Sequence, residues 1–308
     1  MKALITGING FVGKYLSKYL VSNGYEIYGT VIEDGVHMDD IKIYNMNLLD
    51  KQEVLKTIID IKPDHIYHLA GQSAVGLSWK QPTLTMNVNV NGTINLLDSI
   101  READLDCKVL IIGSSDEYGP IKPEDCPIKE EYELNPSSPY AISKVAQENI
   151  AKLYAKVYGM KILMVRAFNH IGPMQSKNFV VSDFASRIAD IEVGKESVMK
   201  VGNLEAYRDF TDVRDIVRGY NMLMEKGHVG EVYNIGSGKP VKIQEILDIL
   251  ISLSTRQVKV ELDEDKLRPS DVPVVECDNS KIRLHTGWQP KFDIRDTLRD
   301  TLDYWRNM

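Results

Sequence analysis

The chain has 308 residues, 43% of them hydrophobic, and a formal net charge of −7, enough apolar material to bury a large core in one or two domains. No apolar run approaches the ~20 residues of a bilayer span, and no block of Lys or Arg offers a footprint for nucleic acid or an anionic membrane; neither is expected as a partner. Cys107, Cys126 and Cys277 stand at no metal-ligand spacing and read as reduced thiols, which, with an N-terminus that enters a strand-like run at once, points to the cytoplasm and to no metal.

In chain order, short β-rich runs alternate with helical patterns: 3–5, then 11–21, 26–32, 51–61, 65–67, 82–103 and 108–112. Parallel strands need crossover connections, so this rhythm predicts an α/β fold: a Rossmann-type doubly wound parallel sheet with helices on both faces and ligands at the carboxyl ends of its strands. A long helix over 138–158 and a strand over 161–167 continue it. Past Pro173 the rhythm weakens into helices over 181–194, 212–226, 243–253 and 294–307, with strands near Tyr207 and over 232–235. The expected division is a dinucleotide-binding domain over 1–173, to which a later segment near 207–236 contributes, and a smaller, discontinuous α/β substrate-binding domain over 174–308. Trp79, Trp288 and Trp305 read as packing residues.

Gly7-Ile8-Asn9-Gly10-Phe11-Val12-Gly13 follows the first strand and opens a helix. Glycines at that spacing permit a tight turn and let backbone N–H groups approach a pyrophosphate at the positive helix end. The second strand ends in Glu33-Asp34 with no Arg; an acid there suits a ribose 2′-hydroxyl, favouring NADH over NADPH with both left open. Asn47, in NMNLLD after the third strand, is placed to meet an adenine amino group.

Tyr140-Ala141-Ile142-Ser143-Lys144 puts a phenol and an ammonium on one helix face, so the ammonium is expected to lower the phenol pKa. GSSDEYG at 113–119 supplies two hydroxyls and two carboxylates at a strand end.

Together, GINGFVG, HLAG at 68–71, NVNGT at 89–93, the Ser-bearing strand end, YAISK, FNHIGP at 168–173 and RDFTDVRDIV at 208–217 resemble the extended short-chain dehydrogenase/reductase family, in the nucleotide-sugar branch acting on GDP-mannose derivatives. The resemblance implies that Gly7, Gly10, Phe11, Val12 and Gly13 hold the pyrophosphate. Asn47, Leu48, Leu69, Ala70, Gly71, Asn87, Phe168 and His170 line the cofactor. It implies Tyr140 as acid/base, Lys144 as its ribose-binding neighbour and Ser114 as the hydroxyl that polarises the sugar carbonyl. Ser115, Glu117, Asn169, Arg208, Arg268 and Asp271 become substrate contacts, with RPSD at 268–271 resembling a family R-P-S/T-E segment. His170 is better read as a buried, hydrogen-bonded histidine than as a catalyst. A homodimer through the helices at 82–103 and 138–158 is also implied.

The branch holds dehydratases and reductases. Dehydratases read S-T-(S/D)-E-(L/V)-Y-G at this strand end, and aligned without gaps this chain places Asp116 at the eliminating Glu and Glu117 on an apolar slot. Proton transfer needs contact of about 2.6–3.2 Å, and Asp is one methylene short. The compact chain and the missing basic pair after the second strand agree. The expected reaction is NAD(P)H-dependent reduction of the C4 keto group of GDP-4-dehydro-6-deoxy-D-mannose to a GDP-6-deoxyhexose, GDP-D-rhamnose in the nearest pattern. A 4,6-dehydratase, a 4-epimerase and a non-catalytic nucleotide-binding regulator stay open.

Overall fold

The computed structural model describes residues 1–263 and 272–308, so Arg268 and Asp271 lie outside the described residues. The first half runs β1 (Lys2–Thr6), α1 (Phe11–Ser22), β2 (Glu26–Val31), β3 (Ile41–Asn45), α2 (Lys51–Ile61), β4 (His65–His68), α3 (Val75–Lys80), α4 (Pro82–Met86), α5 (Gly92–Glu102) and β5 (Lys108–Ser114). After a 3₁₀ turn, Ser115–Tyr118, come α6 (Pro139–Tyr158), β6 (Lys161–Ala167) and β7 (Asn169–Ile171). The rest comprises α7 (Val180–Glu192), β8 (Met199–Val201), β9 (Tyr207–Asp212), α8 (Val213–Lys226), β10 (Val232–Ile235), β11 (Pro240–Lys242), α9 (Ile243–Ser252), β12 (Val260–Leu262), α10 (Ser280–Thr286) and α11 (Ile294–Arg306).

Seven parallel strands form the main sheet in the order β10-β6-β5-β4-β1-β2-β3. Chain order reverses between β1 and β4, the position where doubly wound sheets bind ligands. Alternate side chains serve opposite faces: Ala3 and Ile5 enter a core closed by α1 and α8 with fully buried Trp288, whereas Leu4 enters one closed by α2, α5 and α6. A third core gathers α7, α9 and α11 around Phe210 of β9.

The run 82–103 differs from the single helix its periodicity predicts. Five residues, Asn87–Asn91, wind as a π-helix between α4 and α5, which widens the helix where Asn89 turns inward. Three-residue strands β7, β8, β11 and β12 and the short helices α3 and α10 are additions to the expected elements. Trp79 is 64% exposed rather than packed. Among the described residues no helix is long and apolar enough to cross a membrane.

Candidate active site

The loop after β1 is shaped by close backbone approach. Gly7 has φ +68°, and a Cβ there would lie 2.9 Å from Ala70 Cα; a Cβ on Gly13 would sit 2.5 Å from Ile8 O. Its N–H groups fix the turn, Gly7 and Ile8 donating to Thr30 O at 3.0 and 3.2 Å. Among the described residues no side chain caps the N-terminus of α1 behind Gly10, and its first turn carries no acid. The positive helix end therefore faces out uncompensated, with Phe11 and Val12 half-buried beside it. A dinucleotide pyrophosphate fits this cradle.

Across the switch point, Leu69 and Ala70 are half-buried and Gly71 is exposed. Their loop is held by hydrogen bonds running into the next helices. The Ala70 N–H donates to Thr6 Oγ1 at 3.1 Å, and Thr6 Oγ1 lies 2.9 Å from His68 Nδ1. Thr93 gives its own proton to Asn89 O at 2.7 Å and so accepts from His68 Nε2 at 3.0 Å and from Gln147 Nε2 at 2.7 Å. Gln147 Oε1 then accepts from Lys144 Nζ at 2.9 Å. Burial, aided by Lys144, pushes the His68 pKa down to about 3, so its ring is neutral in this chain of bonds. Asn89, fully buried, grips Gln72 through both its N–H and its carbonyl and donates to Ser143 Oγ at 2.8 Å. None of Thr6, His68, Gln72, Asn89, Thr93 or Gln147 was given a role from sequence, although His68, Asn89 and Thr93 lie in the HLAG and NVNGT motifs. The spacing Lys144 to Gln147, i to i+3 on one helix face, is the signal that could have found Gln147.

Tyr140 and Lys144, 8% and 7% exposed, sit at the start of α6, whose Ser138 cap accepts from Ala141 N–H at 3.1 Å. The expected depression of the phenol pKa is absent here. Lys144 Nζ is 6.0 Å from the Tyr140 ring centroid and is engaged elsewhere, donating to Ile112 O at 2.7 Å and to Gln147. Burial raises the Tyr140 pKa, Asp116 adding to it, against a lowering hydrogen bond with Ser114. The phenol is thus held protonated and in contact with the Ser114 hydroxyl. Burial also brings Lys144 down to about 8, with Glu117 opposing.

Ser114 caps the 3₁₀ turn, its Oγ accepting from Asp116 N–H at 3.2 Å. Ser115 is half-buried and Asp116 exposed. Glu117, expected among substrate contacts, is instead fully buried behind β5, reaching back to the Ser114 N–H: a carboxyl on an apolar slot finds polar partners inside. Two expected cofactor contacts also differ in the side chain. Leu48 is 6% exposed in the second core and Phe168 is 1% exposed beside Tyr118, so both side chains pack inward. Asn47 is exposed, and its Oδ1 is taken by Leu49 N–H at 2.9 Å. Asn87 opens the π-helical segment and accepts from Asn91 Nδ2 at 3.0 Å.

His170 stacks on Phe11, ring centroids 6.1 Å apart and planes within 4°. Its Nδ1–H donates to Phe168 O at 3.0 Å, and burial lowers its pKa. Asn169 and Arg208 share one small sheet, because β7 pairs with β9 in the register Asn169 to Phe210. Arg208 Nη1 donates to Tyr207 O and Val272 O at 2.8 and 2.7 Å. Fully buried Asp209, next to it, ties the Ser237 and Gly238 N–H groups and that of Cys277 to β9.

The strand order, the glycine cradle and the Tyr140–Lys144 pair on one rim define a Rossmann-type fold of the short-chain dehydrogenase/reductase kind. The chain belongs to the GDP-mannose 4,6 dehydratase family, whose model matches residues 4–301. It is similar to the GDP-6-deoxy-D-mannose reductase of Pseudomonas aeruginosa, 31% identical over 99% of this chain and 97% of that one. It is also similar to GDP-mannose 4,6 dehydratase 2 of Arabidopsis thaliana, 29% identical over 98% of this chain and 86% of that one. Among solved structures, that of RMD from Pseudomonas aeruginosa complexed with NADPH superposes with a TM-score of 0.88 at 31% identity, covering 99% of each chain.

Proposed function

We propose that the protein is an NAD(P)H-dependent oxidoreductase that reduces the C4 keto group of GDP-4-dehydro-6-deoxy-D-mannose, giving a GDP-6-deoxyhexose such as GDP-D-rhamnose. The observation that carries the reading is the buried Tyr140–Lys144 pair on one face of α6, set at the strand-end rim beside the Ser114 turn. The nicotinamide, when bound, supplies the hydride. Tyr140 gives its proton to the sugar O4 as charge develops there, and Ser114 holds that oxygen by a hydrogen bond. Lys144, fixed by Ile112 O and Gln147, presents its remaining N–H to the cofactor ribose. Gly7, Gly10, Phe11, Val12 and Gly13 seat the pyrophosphate; Leu69, Ala70, Gly71, Asn47, Asn87 and His170 border the dinucleotide. Asn169, Ser115, Arg208, Arg268 and Asp271 take the GDP-sugar, an Arg fork suiting the diphosphate. This reading divides the chain near residue 173, with α8 and β10 returned to the first sheet.

A 4,6-dehydratase is the second reading, and one observation favours it: Asp116 is an exposed carboxylate in the turn that Ser114 caps, at the position where dehydratases carry their eliminating acid. Incubation with GDP-4-keto-6-deoxymannose plus NADH or NADPH, and separately with GDP-mannose, separates the two. Nicotinamide absorbance is expected to fall with the keto sugar only; no fall overturns the reductase reading. Asp116→Glu, which restores the length an eliminating acid needs, is expected to keep keto-sugar reduction within about threefold, since it keeps the charge, the exposed side chain and the backbone N–H that Ser114 accepts. A large loss would give Asp116 a direct part in reduction.

The assembly that fits is a homodimer. Leu77 and Trp79 of α3, Leu84 of α4, and Ile142, Leu153 and Val157 of α6 are 37–64% exposed, an apolar surface that a second copy would cover isologously. Light scattering after size exclusion should return twice the chain mass at micromolar concentration; a monomer there overturns the dimer.

A further inference from the structure

Behind Ser114 lies a carboxyl that the reaction above does not use. Glu117 is 0% exposed. It is the third residue of the turn Ser114 caps, and its Oε1 accepts from the Ser114 N–H at 2.7 Å. Gly113 makes room for it, since a Cβ there would collide with Glu117 Oε1. Among the described residues Oε2 has no hydrogen-bond partner; it lies 3.8 Å from Arg166 Nε. That guanidinium already donates from Nε and Nη2 to Glu148, at 2.8 and 2.7 Å. The groups facing Glu117 are therefore Arg166 from β6, Glu148, Lys144 and Tyr140 from α6, and Ser114, Asp116 and Tyr118 of its own turn. One cation serves two buried carboxyls, and an anion with an unpartnered oxygen is costly in such a place.

We infer that Glu117 is a positioning residue for the reduction: from inside the fold its carboxyl fixes the Ser114 main chain, and its buried, half-partnered charge bears on the Tyr140 and Lys144 end of α6. The inference rests on the reductase reading. Burial, with Glu148 adding, raises the Glu117 pKa from 4.5 to about 8. At neutral pH the group is largely neutral and weighs little on its neighbours. As pH rises it ionises, and its negative charge raises the pKa of both Lys144 and Tyr140. Lys144 then stays protonated to higher pH, which extends the range over which its ammonium serves the site, while Tyr140, raised chiefly by burial, remains a donor throughout.

The test is the pH profile of kcat/KM for the keto sugar in the wild type, Glu117→Gln and Glu117→Leu. Glu117→Gln keeps an acceptor for the Ser114 N–H but cannot ionise. Its alkaline limb is expected to move acidward by about half a pH unit or more, with KM for the sugar little changed. Glu117→Leu also loses the acceptor, and a further fall in kcat on the order of tenfold is expected. A Glu117→Gln profile superimposable on the wild type overturns the inference.

A second arm needs no catalysis. A carboxyl whose folded pKa exceeds its unfolded value favours folding fully below the unfolded value, and that contribution is lost as pH rises through the folded one. Urea unfolding should therefore show Glu117→Gln gaining on the wild type between about pH 4.5 and 8. A difference flat across that window also overturns the inference. If the wild type leaves nicotinamide absorbance unchanged, the reductase reading fails on its own, and this arm alone decides the state of Glu117.

Discussion

Replacing Tyr140 with phenylalanine should lower kcat for keto-sugar reduction by about a hundredfold to ten-thousandfold, the range a lost general acid gives. The reason is the site's economy of protons. Tyr140 is 8% exposed, its phenol is held protonated by burial, and it contacts Ser114; no water replaces a donor so enclosed without rearrangement. Affinity for the nicotinamide cofactor should stay within a few-fold, because the glycine cradle and the Ala70–Thr6–His68 bonds are untouched. Stopped-flow reduction alongside fluorescence titration of NADPH measures both. A variant retaining more than a tenth of wild-type kcat would remove Tyr140 from the proton transfer.

Arg166→Met should cost about 3–5 kcal/mol of stability at neutral pH, the loss typical of breaking a buried ion pair from one side. Arg166 is 3% exposed and bonds Glu148 through two nitrogens, Tyr118 Oη at 2.8 Å and Glu130 O at 2.9 Å. Burial works to raise the Glu148 pKa, but Arg166 and Lys152 outweigh it and hold the carboxyl below its ordinary value. A depressed carboxylate contributes stability above its unfolded pKa and loses it as pH falls through the folded one. The deficit of Arg166→Met should accordingly be greatest at pH 7 and shrink toward pH 4, as the variant's Glu148, no longer held down by Arg166, takes up a proton while the wild-type carboxylate loses its advantage over the unfolded chain. Urea unfolding at the two pH values measures this, and a deficit constant with pH would show that lost packing, not charge, dominates.

The main sheet is legible in the sequence because its strands are covered on both faces: VLII and KILMV read as continuous apolar runs with helical patterns between them. The glycine loop and the Tyr-Lys spacing are equally local, and a local pattern survives in a linear reading. What escapes is long-range. Glu117 reads as one more strand-end acid until Arg166 and Glu148, distant in sequence, are brought around it. Arg166 itself is a charge inside a strand run, a mark of a buried pair that the linear reading passes over. The π-helical winding at Asn87–Asn91 hides within a periodicity that suits an unbroken helix, and strands of three residues are too short for alternation to register. The Lys144 ammonium stands over the Tyr140 ring but gives its hydrogen bonds to Ile112 O and Gln147, and both of those acceptors become visible only in three dimensions.

β10 closes the main sheet against β6, yet it is reached only after α7, β8, β9 and α8 have been laid down. On the ribosome, then, the nucleotide-binding half waits on sequence from beyond the middle of the chain. Until Ile235 emerges, the β6 edge is an open row of backbone donors and acceptors, and the face that α8 will cover is bare. An unpaired strand beside exposed apolar surface invites association between nascent chains. Shortened versions ending near residue 173 inherit that open β6 edge permanently, whereas those ending beyond β10 keep it paired.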